Sequence, residues 1–192
     1  MTLTNDDRSG APRRVRTDRL DLCAVGRADL APLHVINHDP RTWSHAPEGR
    51  HLDEGTTRAW IERAVDVWES DGMGYWTARL GGADGPVIGI GGASFQRATG
   101  YWNLYYRLDP AHWGRGYATE LARAAVDAAH RHAPDRPVAA WVHDHNAGSR
   151  AVVERLGLAD LGLRPHPSLG EPVRLFADRP IPFVDPERPG PE

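Results

Sequence analysis

The residues that could do chemistry concentrate in one stretch, Leu108-Asp109-Pro110-Ala111-His112-Trp113-Gly114-Arg115-Gly116-Tyr117-Ala118-Thr119-Glu120. A β-like run ends at Leu108 and a helical pattern starts at Ala118, so the stretch joins a strand to a helix N-terminus. The first turn of a helix has N–H groups without intrahelical acceptors and the positive end of the macrodipole, a combination that suits an anion. Gly114 and Gly116 remove the Cβ atoms that would hold a diphosphate away from those donors, and Arg115 can add a charge-assisted contact. Glu120 complements the helix N-terminus. A tight strand-to-helix turn would account for the glycines alone, so the weight rests on the spacing of the neighbours.

Spacing separates three nucleotide-type readings. A Walker A loop needs Gly-Lys followed by Ser or Thr, and the chain contains no Lys; all 23 basic residues are Arg. A dinucleotide fingerprint needs a third glycine where Thr119 stands and a parallel strand leading into it. Here a β meander precedes the loop, which leaves coenzyme A. With Trp113, Gly116 and Ala118 in register, the Trp-Gly-Arg-Gly-Tyr-Ala-Thr-Glu string resembles the GNAT superfamily of N-acetyltransferases, in particular its RimJ/RimL-like branch. Trp at the first position departs from the superfamily consensus but is usual in that branch. A second motif agrees: Asn146-Ala147-Gly148-Ser149, then Val153-Glu154-Arg155-Leu156-Gly157-Leu158, is similar to the family's Asn-x-x-Ser helix entry and Leu-Gly-Phe ending. The opening Thr17-Asp18-Arg19-Leu20-Asp21-Leu22 matches as well, so the resemblance spans roughly residues 17 to 181.

That resemblance implies a set of roles. Trp113, Gly114, Arg115, Gly116, Tyr117, Ala118 and Thr119 bind acetyl-CoA as cosubstrate. Two sheet strands splay beside the loop, and the pantetheine arm follows the exposed strand edge near Tyr106 and Leu108, where main-chain N–H groups also hold the reacting oxyanion. Asn146 is a helix N-cap on its own terms and, by resemblance, hydrogen-bonds the pantetheine region. Ser149 corresponds to the serine proposed in RimL-like enzymes to protonate the departing thiolate. Trp43 and His45 fall in the irregular segment 39–51, where the family builds part of its acceptor wall. The branch often has Glu near the position of Asn103, so the base that frees the amine is unassigned.

Two other constellations carry less. His143 and His145 share a strand face with Asp144 between them, yet no third ligand is identified, so no metal is expected. Cys23, on the first strand where relatives often have Arg, reads as packing.

The elements that position these residues follow from periodicity. Arg19–Val25 alternates as a strand, and a short helix spans 29–37. Asp53 caps a helix carrying Trp60, Ile61, Ala64, Val65 and Trp68 on one face, ended by Gly72. Residues 75–80, 87–95 and 102–108 form an antiparallel meander. An amphipathic helix runs over 118–132, then a strand over 138–143, a helix over 146–156 and strands near 159–164 and 172–178. The pattern predicts an α/β (α+β) fold of the GNAT type. It has a mixed, mostly antiparallel sheet of about seven strands, splayed in the middle, with helices on both faces.

Bulk properties bound the rest. The 192 residues with 40% hydrophobic content suit one domain over 17–181, with residues 1–16 and 182–192 read as flexible tails. A net charge of −3 argues against nucleic acid as partner, and the absence of Lys excludes a lysine Schiff base or lysine general base. One Cys permits no intramolecular disulfide, and neither a signal-peptide core nor a membrane span is visible, so a cytoplasmic protein is expected. The expected partner is an amine-bearing acceptor, a peptide N-terminus or a small molecule, with a homodimer as the default assembly. The resemblance implies direct acetyl transfer in a ternary complex; the alternative is a catalytically silent acyl-CoA-binding sensor or recruiting module.

Overall fold

The computed structural model describes residues 10–181 and the backbone of Leu3–Thr4. In chain order it comprises β1 (Leu3–Thr4), β2 (Arg14–Arg16), β3 (Leu20–Ala24), α1 (Leu30–His38), α2 (Glu54–Asp71) and β4 (Tyr75–Leu80). There follow β5 (Val87–Gln96), β6 (Tyr101–Leu108), α3 (Tyr117–His132), β7 (Val138–Val142), α4 (Ala147–Leu156), β8 (Ala159–Pro165) and β9 (Pro172–Ala177). The strands make one nine-stranded sheet in the order β1-β2-β3-β4-β5-β6-β7-β9-β8. Every pairing is antiparallel except β6 with β7. The helices cover both faces, so the architecture is the expected GNAT-type one, enlarged by the two N-terminal strands. No described helix is long and apolar enough to cross a membrane.

Local chemistry explains the long helices. The Asp53 carboxylate accepts from the Thr56 N–H at 2.8 Å, capping α2, and Gly72 ends it in the left-handed region. In α3, Leu121, Ala122, Ala125, Ala128 and Ala129 are fully buried against the sheet. Leu121 on α3 meets a glycine on β5: a Cβ at Gly91 would lie 2.7 Å from both Leu121 Cδ2 and the Tyr105 carbonyl oxygen. That close approach brings the start of α3 down onto the sheet edge.

Within the segment read as an N-terminal tail, Leu3–Thr4 and Arg14–Arg16 are strands of the sheet. Ala11 and Val15 are buried, the Ala11 N–H donates to the Gly72 carbonyl at 2.8 Å, and Arg14–Arg16 pairs with Asp21–Cys23. A three-residue strand with one apolar position has no periodicity to read. Arg14 and Arg16 lie 2.7 and 3.4 Å from the buried Asp21 carboxylate, a tertiary pairing that holds the segment. Residues 182–192 lie outside the described residues.

The sheet opens in the middle. β6 and β7 pair only at Trp102↔Val138 and Asn103↔Ala139. Beyond that point β6 stays bonded to β5 as far as Gly89↔Leu108, and β7 to β9 as far as Val142↔Arg174. The two halves therefore part from Leu104 and Ala140 onward.

Candidate functional site

The loop after β6 is built by its own side chains. Asp109 accepts from the Ala111 N–H at 2.9 Å and starts a single 3-10 turn over Pro110–His112; the Trp113 indole N–H then donates back to the Leu108 carbonyl at 2.9 Å. Gly114 and Gly116 follow at φ 73° and 81°, a region that side chains with a Cβ enter at a cost. An added Cβ at Gly114 would meet nothing within 4 Å, and one at Gly116 only Arg19 Nη2 at 3.4 Å, so conformation rather than protein crowding demands glycine. Gly116 is the N-cap of α3 and supplies no capping side chain; the first helical bond is Glu120 N–H to Gly116 O at 3.1 Å. The N–H groups of Tyr117, Ala118 and Thr119 thus have no acceptor within the helix.

Arg19, from the turn before β3, clamps this loop. Its Nε donates to Glu120 Oε2 at 2.7 Å, its main-chain N–H to Glu120 Oε1 at 2.8 Å and its Nη1 to the Arg115 carbonyl at 2.8 Å. Its guanidinium lies 4.4 Å from the Tyr117 ring centroid, and the Thr17 hydroxyl also donates to Glu120. Burial pushes the Glu120 carboxyl up, but the hydrogen bonds from Thr17 and Arg19 outweigh it and hold the group below its ordinary value. The clamp ties the Thr17-Asp18-Arg19 opening to the loop and the first turn of α3.

From the loop a groove of about 1300 Å³ runs along the open edge of β6 into the split. Of the residues singled out from sequence, Tyr106, Leu108, Trp113, Gly114, Gly116, Tyr117, Ala118, Thr119, Asn146, Ser149 and His45 line it. Two stand apart. Arg115 is exposed and off the groove wall; its carbonyl is held by Arg19. Trp43 sits behind the wall, its ring under the Arg107 guanidinium at 3.3 Å and its indole N–H donating to the Asn37 carbonyl at 2.6 Å.

Across the split, Asn146 Oδ1 caps α4 by accepting from the Ser149 N–H at 3.1 Å, and the Tyr106 hydroxyl donates to the Ser149 carbonyl at 3.0 Å. Burial pushes the Tyr106 phenol well above its ordinary value. Asn103 stands at the closed end of the split, off the groove wall, with a buried Oδ1 that lacks a hydrogen-bond partner.

The far wall holds residues that sequence reasoning valued differently. His143 has ring centroids 6.0 Å from His45 and 5.4 Å from His145. Burial, then the charges of Arg107, His143 and His145, lowers His45 to about 4, so it is neutral at pH 7. Asp144 turns away from both histidines to Arg174, at 2.5 Å. Among the described residues no group of three or more His, Cys, Asp or Glu is placed to hold a metal ion. Cys23 lies off the groove and donates to Asp21 Oδ1 at 3.3 Å. Arg107 is the residue that sequence missed. Strand alternation puts it opposite Tyr106, yet its partners Thr42 and Trp43 lie in an irregular turn that no periodicity could bring to it.

A family model described as "Acetyltransferase (GNAT) domain" matches residues 19–159, more than half of the chain. YkkB of Bacillus subtilis (strain 168), an uncharacterized protein, is 26% identical over 151 residues, covering 77% of this chain and 86% of YkkB. The crystal structure of the acetyltransferase from Agrobacterium tumefaciens str. C58 is 26% identical, with TM-score 0.73, and the match covers 92% of this chain and 100% of that one. RimL, a ribosomal L7/L12 α-N-protein acetyltransferase solved in complex with coenzyme A, is 15% identical at TM-score 0.71, covering 85% of this chain and 96% of RimL. That last likeness is one of fold.

Proposed function

The chain belongs to the GNAT acetyltransferase family, and from that premise we propose that it is an N-acetyltransferase that moves an acetyl group from acetyl-CoA to a primary amine, on a peptide N-terminus or a small molecule, by direct attack. The observation that carries this reading is the groove that joins the uncapped N-terminus of α3 to the split between β6 and β7. The fit is chemical: three unpartnered N–H groups at the positive end of a helix suit a diphosphate, and an open strand edge suits an arm of amides.

Acetyl-CoA supplies the activated acetyl thioester. The Tyr117, Ala118 and Thr119 N–H groups hold its diphosphate, with Gly114 and Gly116 setting the backbone path. The edge of β6 from Leu104 to Leu108 orients the arm, and its N–H groups stabilise the negative charge that develops on the thioester oxygen. The neutral amine nitrogen bonds to the carbonyl carbon, the carbon–sulfur bond breaks, the nitrogen gives up its proton to solvent water, and the Ser149 hydroxyl gives its proton to the leaving sulfur and regains one from solvent. Asn146 keeps the first turn of α4, and with it Ser149, at the groove. His45, held neutral, leaves the acceptor side free of an additional charge.

The test is release of free thiol from acetyl-CoA in the presence of an amine panel, with mass gain of one acetyl group on the acceptor. Thermal protection by coenzyme A with no thiol released by any amine would mark a silent acyl-CoA sensor instead.

A further inference from the structure

We propose that the acceptor is an amine that carries a carboxylate, and that the Arg107 guanidinium is the anchor for that carboxylate at the acceptor end of the groove. The inference rests on the acetyl-transfer reading for the identity of the pocket, but its own support is separate.

Arg107 is 7% exposed, lines the groove, and has no carboxylate within ion-pairing distance among the described residues. Its contacts are all to neutral groups. Nε donates to the Tyr105 hydroxyl at 2.8 Å, Nη1 donates to the Thr42 carbonyl and to Thr42 Oγ1, and the plane stacks on Trp43. Nη2 has no hydrogen-bond acceptor among the described residues. A buried cation without a counter-charge is costly unless a ligand supplies one. Stacking on Trp43 and the Thr42 and Tyr105 bonds hold the guanidinium still and leave its Nη2 to meet a carboxylate oxygen.

The surrounding wall agrees. The groove's own acids, Asp18 and Glu120, lie at the opposite, loop end, and Glu120 is already paired with Arg19. Near Arg107 the wall presents His45, whose ring lies 6.0 Å from that of His143. No carboxylate lines the groove at this end to receive a polycationic amine, whereas an amine with its own anion meets Arg107.

The experiment compares glycine, β-alanine, γ-aminobutyrate, L-aspartate and L-glutamate, each against its carboxamide, as acetyl acceptors. Calorimetry measures binding of the same compounds to the coenzyme A-loaded protein. For at least one pair, the wild type should favour the acid over the amide by about 30-fold or more, chiefly through KM. R107Q should bring that ratio near one, and R107K should keep part of it. Coenzyme A thermal protection serves as the check that each variant is folded. Equal use of acid and amide, or an R107Q variant that keeps the preference, overturns the proposal. Arg107-dependent binding of an acid without any thiol release would uphold the anion site and sink acetyl transfer. Turnover confined to neutral or polycationic amines would do the reverse.

Discussion

The Tyr106 hydroxyl reaches over the gap between the two halves of the sheet and donates to the main-chain carbonyl of Ser149 at 3.0 Å. One side chain of β6 thereby sets the position of the first turn of α4, where strand pairing no longer can. Tyr106→Phe removes the tie and leaves the ring; a neutral hydrogen bond of this kind contributes about 1 kcal/mol. The urea midpoint should fall by a corresponding amount, and kcat should fall with it because Ser149 loses its register. An unchanged midpoint would mean that packing alone seats α4.

Ser149 itself separates the carbonyl from the hydroxyl. Ser149→Ala keeps the acceptor for Tyr106 and the N–H that caps to Asn146, so stability should change by less than about 0.5 kcal/mol. If the hydroxyl protonates the leaving thiolate, kcat should drop by about 100-fold with KM for acetyl-CoA nearly constant. Steady-state kinetics with thiol detection checks the split.

Gly116→Val tests the cradle. At φ 81° an L side chain costs about 1–2 kcal/mol, and branching at Cβ adds to it. The larger effect should be on the ligand, because the valine methyls crowd the side from which the α3 N–H groups are reached. Coenzyme A should no longer raise Tm in this variant. Gly100→Val, at φ 75° in a turn away from the groove, is the control: it should lose similar stability and keep the full shift with coenzyme A.

Much of this was legible along the chain because the signals are local. Asp53 and Gly72 announce both ends of α2, and the structure uses both. Two glycines ahead of an alanine-rich amphipathic run mark the loop and α3. What stayed hidden depends on contacts far apart in sequence. Arg14–Arg16 is a strand because Asp21 lies buried beside it, and Arg107 is held in the groove wall because Thr42 and Trp43 fold over it. His45 and Trp43 read alike, yet a turn of 3-10 helix sends one to the groove and the other behind it.

The clamp between Arg19 and Glu120 should show in the acid limb of stability. Glu120 is held below its ordinary 4.5 in the folded state, so the unfolded chain takes up its proton first as pH falls. Its contribution is complete above about 4.5 and is lost as pH drops through the folded value. Glu120→Gln should therefore lower stability at neutral pH and flatten the curve below that point. Urea unfolding of both proteins from pH 3 to 7 measures it. Parallel curves would mean that Glu120 titrates alike in both states.

A second pH effect has its origin in two histidines near Arg107. Burial lowers both His45 and His51 from 6.5 to about 4, with the Arg107 charge as the next cause for each. Unfolded, each binds a proton near 6.5; folded, each stays neutral until about 4. The unfolded state therefore holds more protons throughout that window, and stability must rise with pH across it. Seen from neutrality, the contribution of the two neutral rings is complete above 6.5 and is lost progressively as pH falls towards 4. The double variant His45→Gln, His51→Gln should show a shallower slope between those limits. The R107Q variant should shift both histidines back towards 6.5 and make the same slope shallower without touching either ring. NMR titration of the two imidazoles distinguishes this from a general loosening: a folded His45 that titrates near 6.5 in the wild type would contradict the account.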